Sequence, residues 1–568
     1  MSVRPVYFSS SKYPDDLALV DRSSSYTYRD LYFLSYRLSQ KLLSVCNPSS
    51  SFTSTFPFRS EDTHIGILCS NDVSYVLSIW ACFMIGCTCI PLSSQHPPSM
   101  LSYFLNDSEC KALISTIEHN NSLDTIQATH PKLPIMLIDS NDLDSKLIPK
   151  QQYQQQPNNE PTSFHDHLLL TNYYDKRNAL ILYTSGTSGK PKGCVITHNN
   201  IQAYVESMTK AWKWTNSDVL LHVLPLHHTH GLINCLLTPL SVGATIVMMP
   251  KFNASEAWQY LASPGFEKPI INVFHAVPTI YSKLIDEYDS KIGTDETRFQ
   301  SRNQAREFIK DQCQKMIRLM VCGSAALPTT LYEKWKQISG HDLLERYGMT
   351  EIGMTLTNPL DGERCVGRPF SGVEIKIVND DGEDLLIANS EKTEILVTDK
   401  NDNQSIEGEL LVRGPNVFKE YWKRKAETKK TFTKDGWFKT GDIARYEKEH
   451  DVFSIRGRLS MDILKRAGYK ISALDIERVL LQHELIAEVA VVGIQDQVLG
   501  QKILAVIVIK QQRQQSTNLT IDDVRQFAKQ YLPSYSLPDL IKKVDELPRN
   551  VMGKINKKEL LNTLMIKN

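Results

Sequence analysis

The sequence lacks an excess of charge of either sign, and it lacks paired cysteine spacing. Its 64 lysines and arginines balance 64 aspartates and glutamates over 568 residues, so it has none of the basic excess that is typical of nucleic-acid-binding proteins. Its eleven cysteines are odd in number and include no C-x-x-C pair, which indicates a reducing compartment without a disulfide framework. We therefore expect no nucleic-acid partner.

Membrane and targeting signals are also missing. The longest apolar stretch, Val76 to Leu92, is interrupted by Ser78, Gly86 and Pro91 and is at the short limit for a membrane span. It predicts a buried helix that ends at Gly86, followed by a strand that runs to Pro91. The N-terminal MSVRPVYFSSSKYPDD has no apolar core and few arginines, so it is not a persuasive signal or transit peptide. We expect no transmembrane segment.

Helical and strand-like segments alternate along most of the chain, which is typical of parallel sheets covered by helices. Thr27 and Asp30 form a capping-box pattern ahead of leucines at helical spacing. The composition changes after Arg458, and the remainder has the size of one small domain. We therefore predict an α/β protein with a large N-terminal domain (1–458) of mixed sheets and flanking helices. A small, mobile α+β C-terminal domain (459–568) follows it.

A loop rich in glycine and hydroxyl groups occupies YTSGTSGKPKG, from Tyr183 to Gly193, between two strand-like runs. Glycines let backbone N–H groups point inward to form an anion site, and Lys190 and Lys192 add positive charge for a polyphosphate. The Walker loop is excluded because Pro191 follows Lys190, where that motif has a hydroxyl residue. The alternative is a flexible, solvated loop. The predicted phosphate contacts are Thr184, Ser185, Gly186, Thr187, Ser188, Gly189, Lys190, Pro191, Lys192 and Gly193.

Two signals follow this loop in the sequence. Asn200 is expected to cap a helix that starts at Ile201. Farther on, LPLHHTHG contains His227, His228 and His230. Zinc is conceivable there, but no cysteine or carboxylate completes a ligand set at a workable spacing nearby.

A third group of motifs follows in the second half of the large domain. The strand that starts at Arg318 ends at Gly323 and Ser324, a small-residue turn against which a planar ring can lie. In the subsequent ERYGMTEIG, Tyr347 can stack on adenine. Thr350 can bond a phosphate oxygen, and Glu351 can hold Mg²⁺ as a hard oxygen ligand.

Near the domain boundary, Asp442 follows Gly441, and its carboxylate can accept hydrogen bonds from both ribose hydroxyls. Arg458 can reach the ribose or a phosphate. A surface ion pair is the alternative for both residues. At the end of the chain, Gly553 gives a turn that can project the amine of Lys554. The neighbouring Lys557 and Lys558 are expected to be solvated.

Together these motifs resemble, in order and over essentially the whole chain, the adenylate-forming superfamily of acyl-CoA synthetases, luciferases and peptide-synthetase adenylation domains. Ser188 stands where Thr is the commoner choice. Within that superfamily, LPLHHTHGLINCLLTPLSVGATIVMMPKF and LERYGMTEIGM resemble the malonyl-CoA (methylmalonyl-CoA) synthetases, especially the animal mitochondrial type. The resemblance implies the acyl-adenylate-forming fold.

The implied activity is that of an ATP-dependent acid–thiol ligase that converts malonate or methylmalonate to its CoA thioester through an acyl-adenylate. ATP, Mg²⁺ and coenzyme A are the implied cofactor and co-substrates, and the products include AMP and pyrophosphate. A ligase for another short or medium-chain carboxylic acid is the alternative within this chemistry. A nucleotide-binding partner protein without catalysis is a third reading, which the intact Lys554, Glu351 and Asp442 disfavour.

The resemblance also implies residue roles. The expected catalytic residues are Lys554, Glu351 and His228, with Glu351 on the metal. Besides the loop, the expected ATP contacts are Gly323, Ser324, Tyr347, Thr350, Asp442, Arg458 and Lys554. The acyl site is expected to comprise His230, Arg318, Ser324 and Met349, and the CoA path Gly468, Tyr469 and Lys470.

In this resemblance Arg318 binds the distal carboxylate of malonate, for which a guanidinium fork is well suited. The small domain is expected to rotate about Leu459–Asp462 between the two steps. A mitochondrial matrix location follows by resemblance, with the cytoplasm as the alternative, and the protein is expected to be a monomer.

Overall fold

The computed structural model describes eleven segments of the chain: 3–46, 63–139, 172–184, 190–262, 269–294, 301–358, 365–396, 405–466, 469–510, 519–549 and 555–565. Several predicted features lie outside these segments, namely Ser185, Gly186, Thr187, Ser188, Gly189, Gly468, Gly553 and Lys554, and the side chain of Lys470. Within the described segments, no helix is long and apolar enough to cross a membrane. All eleven cysteines are free thiols.

A seven-stranded sheet carries the first half of the large domain, in the order β20-β8-β7-β4-β3-β5-β6. The pairs β3–β4, β3–β5, β4–β7 and β5–β6 are parallel, whereas β8 is antiparallel to both of its neighbours. Numbered along the chain, its strands are β3 (His64–Leu68), β4 (Thr88–Pro91), β5 (Ala112–Thr116), β6 (Ile135–Ile138), β7 (Asn178–Thr184), β8 (Lys192–Thr197) and β20 (Glu420–Tyr421).

A nine-stranded sheet carries most of the candidate site, in the order β15-β14-β13-β12-β11-β9-β10-β1-β2. The six central strands, β13 to β1 in this order, are parallel. The strands are β1 (Leu17–Val20), β2 (Ser25–Thr27), β9 (Val219–His222), β10 (Thr245–Met248), β11 (Val273–Ala276), β12 (Leu319–Cys322), β13 (Leu344–Met349), β14 (Gly353–Thr357) and β15 (Arg368–Pro369).

A six-stranded antiparallel sheet completes the large domain, in the order β18-β17-β16-β19-β21-β22. Its strands are β16 (Glu374–Val378), β17 (Asp384–Ala388), β18 (Thr393–Ile395), β19 (Ser405–Arg413), β21 (Phe438–Glu447) and β22 (Val452–Arg458). The last strand ends at Arg458, one of the predicted ATP contacts.

The small domain has two sheets and its own apolar core. The antiparallel pair β23 (Ile463–Arg466) and β24 (Tyr469–Ser472) precedes a three-stranded sheet of β25 (Ile486–Asp496), β26 (Gly500–Ile509) and β27 (Leu540–Lys543). The prediction of an α/β fold with a large N-terminal and a smaller C-terminal domain is confirmed.

Helices pack against these sheets in both domains. In the large domain they are α1 (Ser9–Lys12), α2 (Tyr28–Cys46), α3 (Val73–Met84), α4 (Pro98–Asp107), α5 (Asn120–Thr129), α6 (His198–Trp212), a π-helix (His230–Leu237), α7 (Thr238–Val242), α8 (Ala254–Ala262), α9 (Pro278–Ser290), α10 (Arg302–Met316), α11 (Thr329–Ser339) and α12 (Lys425–Thr431). In the small domain they are α13 (Ala473–Leu480), α14 (Ile521–Ala528) and α15 (Lys557–Met565).

Of two local predictions, the one for α3 is confirmed and the one for the start of α6 is wrong. The fully buried α3 is followed by Gly86 at φ +72° and by β4, which confirms the helix and strand predicted for this apolar stretch. The predicted start of α6 is wrong by three residues, because Thr197 is the N-cap. The Thr197 hydroxyl accepts the N–H of Asn200, and the Asn200 side chain accepts the N–H of Thr197. Asn200 is thus the reciprocal partner of a capping box, inside the helix.

Candidate active site

The described ends of the glycine-rich loop are paired across β7 and β8, where Thr184 lies opposite Lys192. The two strands pack closely next to the loop, because a Cβ on Gly193 would lie 2.6 Å from a side-chain carbon of Ile181. The Lys192 ammonium forms an ion pair with Glu427. The positive charge of Lys192 is therefore balanced by a carboxylate in this structure. Binding of a polyphosphate by Lys192 stays a prediction, and it would require Lys192 to leave Glu427.

The predicted ribose residues meet at the end of β22. The Arg458 guanidinium lies 2.8 Å from Asp442, and the Tyr347 hydroxyl donates to the same carboxylate. Asp442 is buried, so this is not the surface ion pair of the alternative reading. Binding of a ribose by Asp442 remains a prediction, which the convergence of these three side chains supports.

Glu351 is a buried carboxylate at the end of the ERYGMTE segment. Its Oε1 accepts the Tyr421 hydroxyl at 2.8 Å. Burial raises the pKa of the Glu351 carboxyl, and this hydrogen bond opposes the rise. Among the described residues, no lysine or arginine forms an ion pair with Glu351. A single carboxylate that lacks a cationic partner fits Mg²⁺, which proteins commonly hold with one or two carboxylates and the substrate's phosphates.

At the carboxyl end of β12, Ser324 contacts both His230 and Arg346. Its backbone is left-handed at φ +69°. The Ser324 hydroxyl lies 3.3 Å from Nδ1 of His230 and accepts from the Arg346 guanidinium at 3.2 Å. A Cβ on Gly323 would lie 2.6 Å from Nε of Arg346. The glycine at this turn therefore leaves room for the buried guanidinium. The contact of a planar ring with the turn stays a prediction.

Arg346 belongs to this group of side chains and was not among the residues predicted from the sequence. It lies on β13, is 5% exposed, and among the described residues no carboxylate pairs with it. Its Nε has no hydrogen-bond partner. Burial lowers the pKa of the Arg346 guanidinium to about 10, so it is charged at neutral pH. A buried, charged guanidinium without an anionic partner is energetically costly. Arg346 is therefore a strong candidate to bind a carboxylate group of a ligand.

The prediction that Arg318 binds a substrate carboxylate is wrong, because Asp218 already holds its guanidinium. Nε and NH2 of Arg318 each donate to the Asp218 carboxylate at 2.6 Å, and NH1 donates to the Trp212 carbonyl. Arg318 precedes β12, so it lies at the edge of the parallel sheet opposite Gly323 and Ser324. Because β12 runs from Leu319 to Cys322, Arg318 is at the opposite end of the strand from Gly323 and Ser324, away from the candidate site.

His275 adds a further buried polar group beside His230 and Arg346. Both nitrogens of its ring lack a hydrogen-bond partner, and Nε2 of His230 lacks one too. Burial, and then the charge of Arg346, hold the pKa values of His230 and His275 well below the usual range. Both rings are therefore neutral at pH 7, and the positive charge beside them is that of the Arg346 guanidinium.

The side chains of His230, Cys235 and His275 offer ligand atoms within 4.8 Å of one another. This set escaped sequence analysis because β11 supplies His275 and a π-helix brings Cys235 near His230. The positive charge of Arg346 nevertheless disfavours a cation here, since no carboxylate among the described residues offsets it. The prediction that no cysteine near the His227–His230 motif completes a ligand set is therefore wrong for His230, because Cys235 follows it closely in the sequence. We assign no metal to this group.

The other predicted residues are less constrained. His228 is half-buried, with its ring 3.8 Å from that of His227. Met349 lies at the end of β13 with its sulfur 4.0 Å from the Arg458 guanidinium, and Thr350 follows it, half-buried. Tyr469 is exposed and stacks on Tyr535 at 4.3 Å. The assigned roles of these residues stay predictions.

One signal could have revealed Arg346. In LERYGM the buried side chains alternate as Leu344 and Arg346, so the arginine stands where a strand next to a core normally has an apolar residue. Tyr421 and Glu427 gave no such signal, because they reach the site from a distant part of the chain.

Comparison with known proteins finds relatives that are CoA ligases. The chain is 42% identical to the mitochondrial malonate–CoA ligase ACSF3 of Bos taurus over 99% of this chain and 90% of the relative. It is 35% identical to the malonate–CoA ligase of Arabidopsis thaliana over 99% and 88%. The structure of ATP-bound MatB from Rhodopseudomonas palustris has a TM-score of 0.75 at 24% identity, with 99% of both chains covered, which supports the fold.

Two family descriptions match the chain. That of the AMP-binding enzymes matches residues 8–422, and that of the AMP-binding enzyme C-terminal domain matches residues 475–554. Enzymes of this kind use ATP, and the CoA ligases among them use CoA as co-substrate. With these two matches covering most of its length, the chain belongs to the AMP-binding enzyme family.

Proposed function

We propose that this protein is an ATP-dependent malonate–CoA ligase, with methylmalonate as a second acid of the same class. The observation that carries the proposal is the buried guanidinium of Arg346 beside Ser324 and His230, with no carboxylate partner among the described residues. A plain alkyl chain would leave this charge unpaired at a cost of several kcal/mol. The distal carboxylate of malonate supplies the partner. The names of the relatives point to the same acid.

In the first step, an oxygen of the substrate's proximal carboxylate attacks the α-phosphorus of ATP, the bond to the β-phosphate oxygen breaks, and pyrophosphate leaves. Because two anions must meet, neutralisation of charge is the main catalytic task. Lys192, released from Glu427, and Lys554 supply positive charge from the chain. Mg²⁺, for which Glu351 is the fitting ligand, would neutralise phosphate charge. Asp442 and Arg458 orient the ribose, and Tyr347 and the Gly323–Ser324 turn hold the adenine.

In the second step the CoA sulfur attacks the acyl carbonyl of the adenylate, the thiol proton passes to solvent or base, and AMP leaves. The residues of this step are Gly468, Tyr469 and Lys470 of the small domain, with His228 at the acyl entrance. Lys554 belongs to the same domain but serves the first step. A rotation of the small domain about Leu459–Asp462 therefore removes Lys554 from the acyl carbonyl after the first step and brings the residues of the second step to it.

We also propose a mitochondrial location and a monomeric state. The location is supported by the mitochondrial names of the animal relatives, and the cytoplasm is the alternative. Organelle fractionation of cells that express the full-length protein tests the location.

A panel of acids tests the function. Pyrophosphate release and CoA-thioester formation are measured with malonate, methylmalonate, succinate, oxalate and butyrate at equal concentration. We expect malonate or methylmalonate to have the highest specificity constant and butyrate to be poor. A preference for butyrate would refute the dicarboxylate assignment while leaving the adenylation chemistry intact. Absence of pyrophosphate release with every acid would favour a nucleotide-binding protein without catalysis.

A further inference from the structure

Three charged side chains meet inside the small domain, and we call them the hinge cluster: Asp462, Glu477 and Lys557. The Lys557 ammonium lies 2.5 Å from Oδ1 of Asp462 and 2.7 Å from Oε1 of Glu477. The side chains are only 11–13% exposed. Lys557 is therefore buried, and the prediction that it is solvated is wrong.

The cluster is well satisfied, so it does not need a ligand. Oε1 of Glu477 also accepts the N–H of Val491 at 2.7 Å. Burial alone would lower the pKa of the Lys557 amine, but Glu477 and Asp462 raise it above its ordinary value. The amine is charged at neutral pH, and its removal would leave two buried carboxylates without a counter-charge.

Asp462 connects this cluster to the last strand of the large domain. Its Oδ2 accepts the backbone N–H of Arg458 at 3.1 Å, and its own N–H donates to the Arg458 carbonyl at 2.8 Å. The backbone approaches closely here, since a Cβ on Gly457, which has φ +125°, would lie 2.5 Å from Cβ of Asp462. One carboxylate thus joins the end of β22 to the first residue of α15.

The two elements joined in this way both carry residues of the first step. The guanidinium of Arg458, at the end of β22, contacts Asp442. Lys557 begins α15 and follows Lys554 by three residues in the sequence. The chain on either side of residues 550–554 is also held together, by the Arg549–Ile555 bridge and by the N–H of Asn556, which donates to the Pro548 carbonyl at 2.7 Å.

We propose that Lys557 is a positioning residue for acyl-adenylate formation, which fixes the start of α15 to Asp462 and thereby to the end of β22. The inference rests on the proposed function, in which Lys554 serves the first step. Since Asp462 lies within the predicted hinge Leu459–Asp462, the bond from Oδ2 to Arg458 has to rearrange when the small domain rotates. The second step should therefore depend much less on Lys557 than the first.

Four variants test the inference. Lys557→Met removes the charge, and Lys557→Met with Glu477→Gln removes it while also neutralising one carboxylate, which protects folding. Lys557→Arg keeps the charge. Lys558→Met is the matched control, because its exposed side chain is next in sequence. Adenylation is followed as ATP–pyrophosphate exchange, and thioester formation is measured from supplied malonyl-adenylate and CoA, with the melting temperature recorded for each variant.

We expect the double variant to lose adenylation rate by about 10- to 100-fold, the scale of a misplaced catalytic group, and to keep thioester formation within about twofold. Lys557→Arg should recover much of the exchange rate, and Lys558→Met should match wild type. An equal loss in both half-reactions, or no loss in the folded double variant, would overturn the proposal. If wild type exchanges pyrophosphate with another acid of the panel and not with malonate, the function proposal fails by itself. The comparison of half-reactions is then made with that acid.

Discussion

At the scale of single residues, two arginines of the large domain illustrate how burial and pairing decide a role. Arg318 and Arg346 belong to neighbouring parallel strands, but Arg318 lies before β12 and is neutralised by Asp218, whereas Arg346 lies beside Ser324 with no carboxylate among the described residues. Arg318 was predicted to bind the carboxylate because a family resemblance transfers a role by motif. Only the packed structure reveals which of the two charges has a partner.

A buried histidine gives a residue-scale prediction about pH. Burial lowers the pKa of His198 from 6.5 to about 3, so the unfolded chain binds a proton below pH 6.5 that the folded protein does not take up until about pH 3. The contribution of His198 to stability is therefore full above pH 6.5 and is lost as the pH falls towards 3. The loss at pH 5 is on the order of 2 kcal/mol.

The measurement compares wild type with His198→Leu by urea unfolding of the large domain at pH 7.5 and at pH 5. Packing changes shift the difference in unfolding free energy equally at both pH values, so only the change in that difference reports the titration. We expect the unfolding free energy of His198→Leu, relative to that of wild type, to be higher at pH 5 than at pH 7.5. A difference that is the same at both pH values would mean that His198 titrates normally in the folded protein.

At the scale of elements, the site depends on one π-helix and on the ends of parallel strands. The π-helix His230–Leu237 begins where Gly231 approaches the backbone, since a Cβ on Gly231 would lie 2.2 Å from the Pro225 carbonyl oxygen. His230, which precedes this glycine, lies against Ser324 at the end of β12. We therefore expect the glycine to position His230 in the predicted acyl site.

Gly231→Ala should displace the π-helix and lower the specificity constant for malonate by at least about tenfold. Gly382→Ala is the control: at φ +83° it strains the backbone of an exposed turn, but a Cβ there would have no atom within 4 Å and the turn is not part of the predicted site. The control should keep wild-type kinetics. Wild-type kinetics in Gly231→Ala would show that the helix start tolerates the shift and does not set the acyl site.

The element scale also separates what the sequence could predict from what it could not. Strongly periodic elements such as α2 and α3 were predictable, because leucine spacing, the Thr27–Asp30 capping box and Gly86 are local signals. The π-helix was not, since nothing in HGLINCLL distinguishes its wider turn from an α-helix. The contacts of Tyr421 with Glu351 and of Asp218 with Arg318 join residues 70 and 100 positions apart, and one sequence contains no signal for such pairs.

At the scale of the whole molecule, the proposed mechanism divides one reaction between two domains. The predicted nucleotide residues other than Lys554 lie on the large domain, and Lys554 and the predicted CoA-side residues belong to the small one. The hinge cluster and the ion pair between Arg456 and Asp475 connect the domains next to the predicted hinge. A large rotation must rearrange these contacts, so the two half-reactions should respond differently to changes in the small domain.

Lys554→Ala tests this division of labour. We expect adenylation to fall by about 10²–10³, the usual loss for a charge-assisted contact made in the transition state. Thioester formation from supplied malonyl-adenylate should be spared. Equal losses in the two half-reactions would contradict the two-conformation account, and Lys558→Ala serves as the control for a lysine lost from the same segment.

The substrate assignment is the central claim, and the ratio of specificity constants for malonate and butyrate tests it most directly, because this ratio does not depend on the folded fraction. Arg346→Met should lower the ratio by about 10²–10³, as expected when a charged partner is left unmatched, and should raise butyrate turnover. Arg318→Lys, which keeps the charge beside Asp218, should leave the ratio unchanged. If Arg346→Met retains the wild-type ratio, or if Arg318→Lys is the variant that loses it, Arg346 does not bind the distal carboxylate.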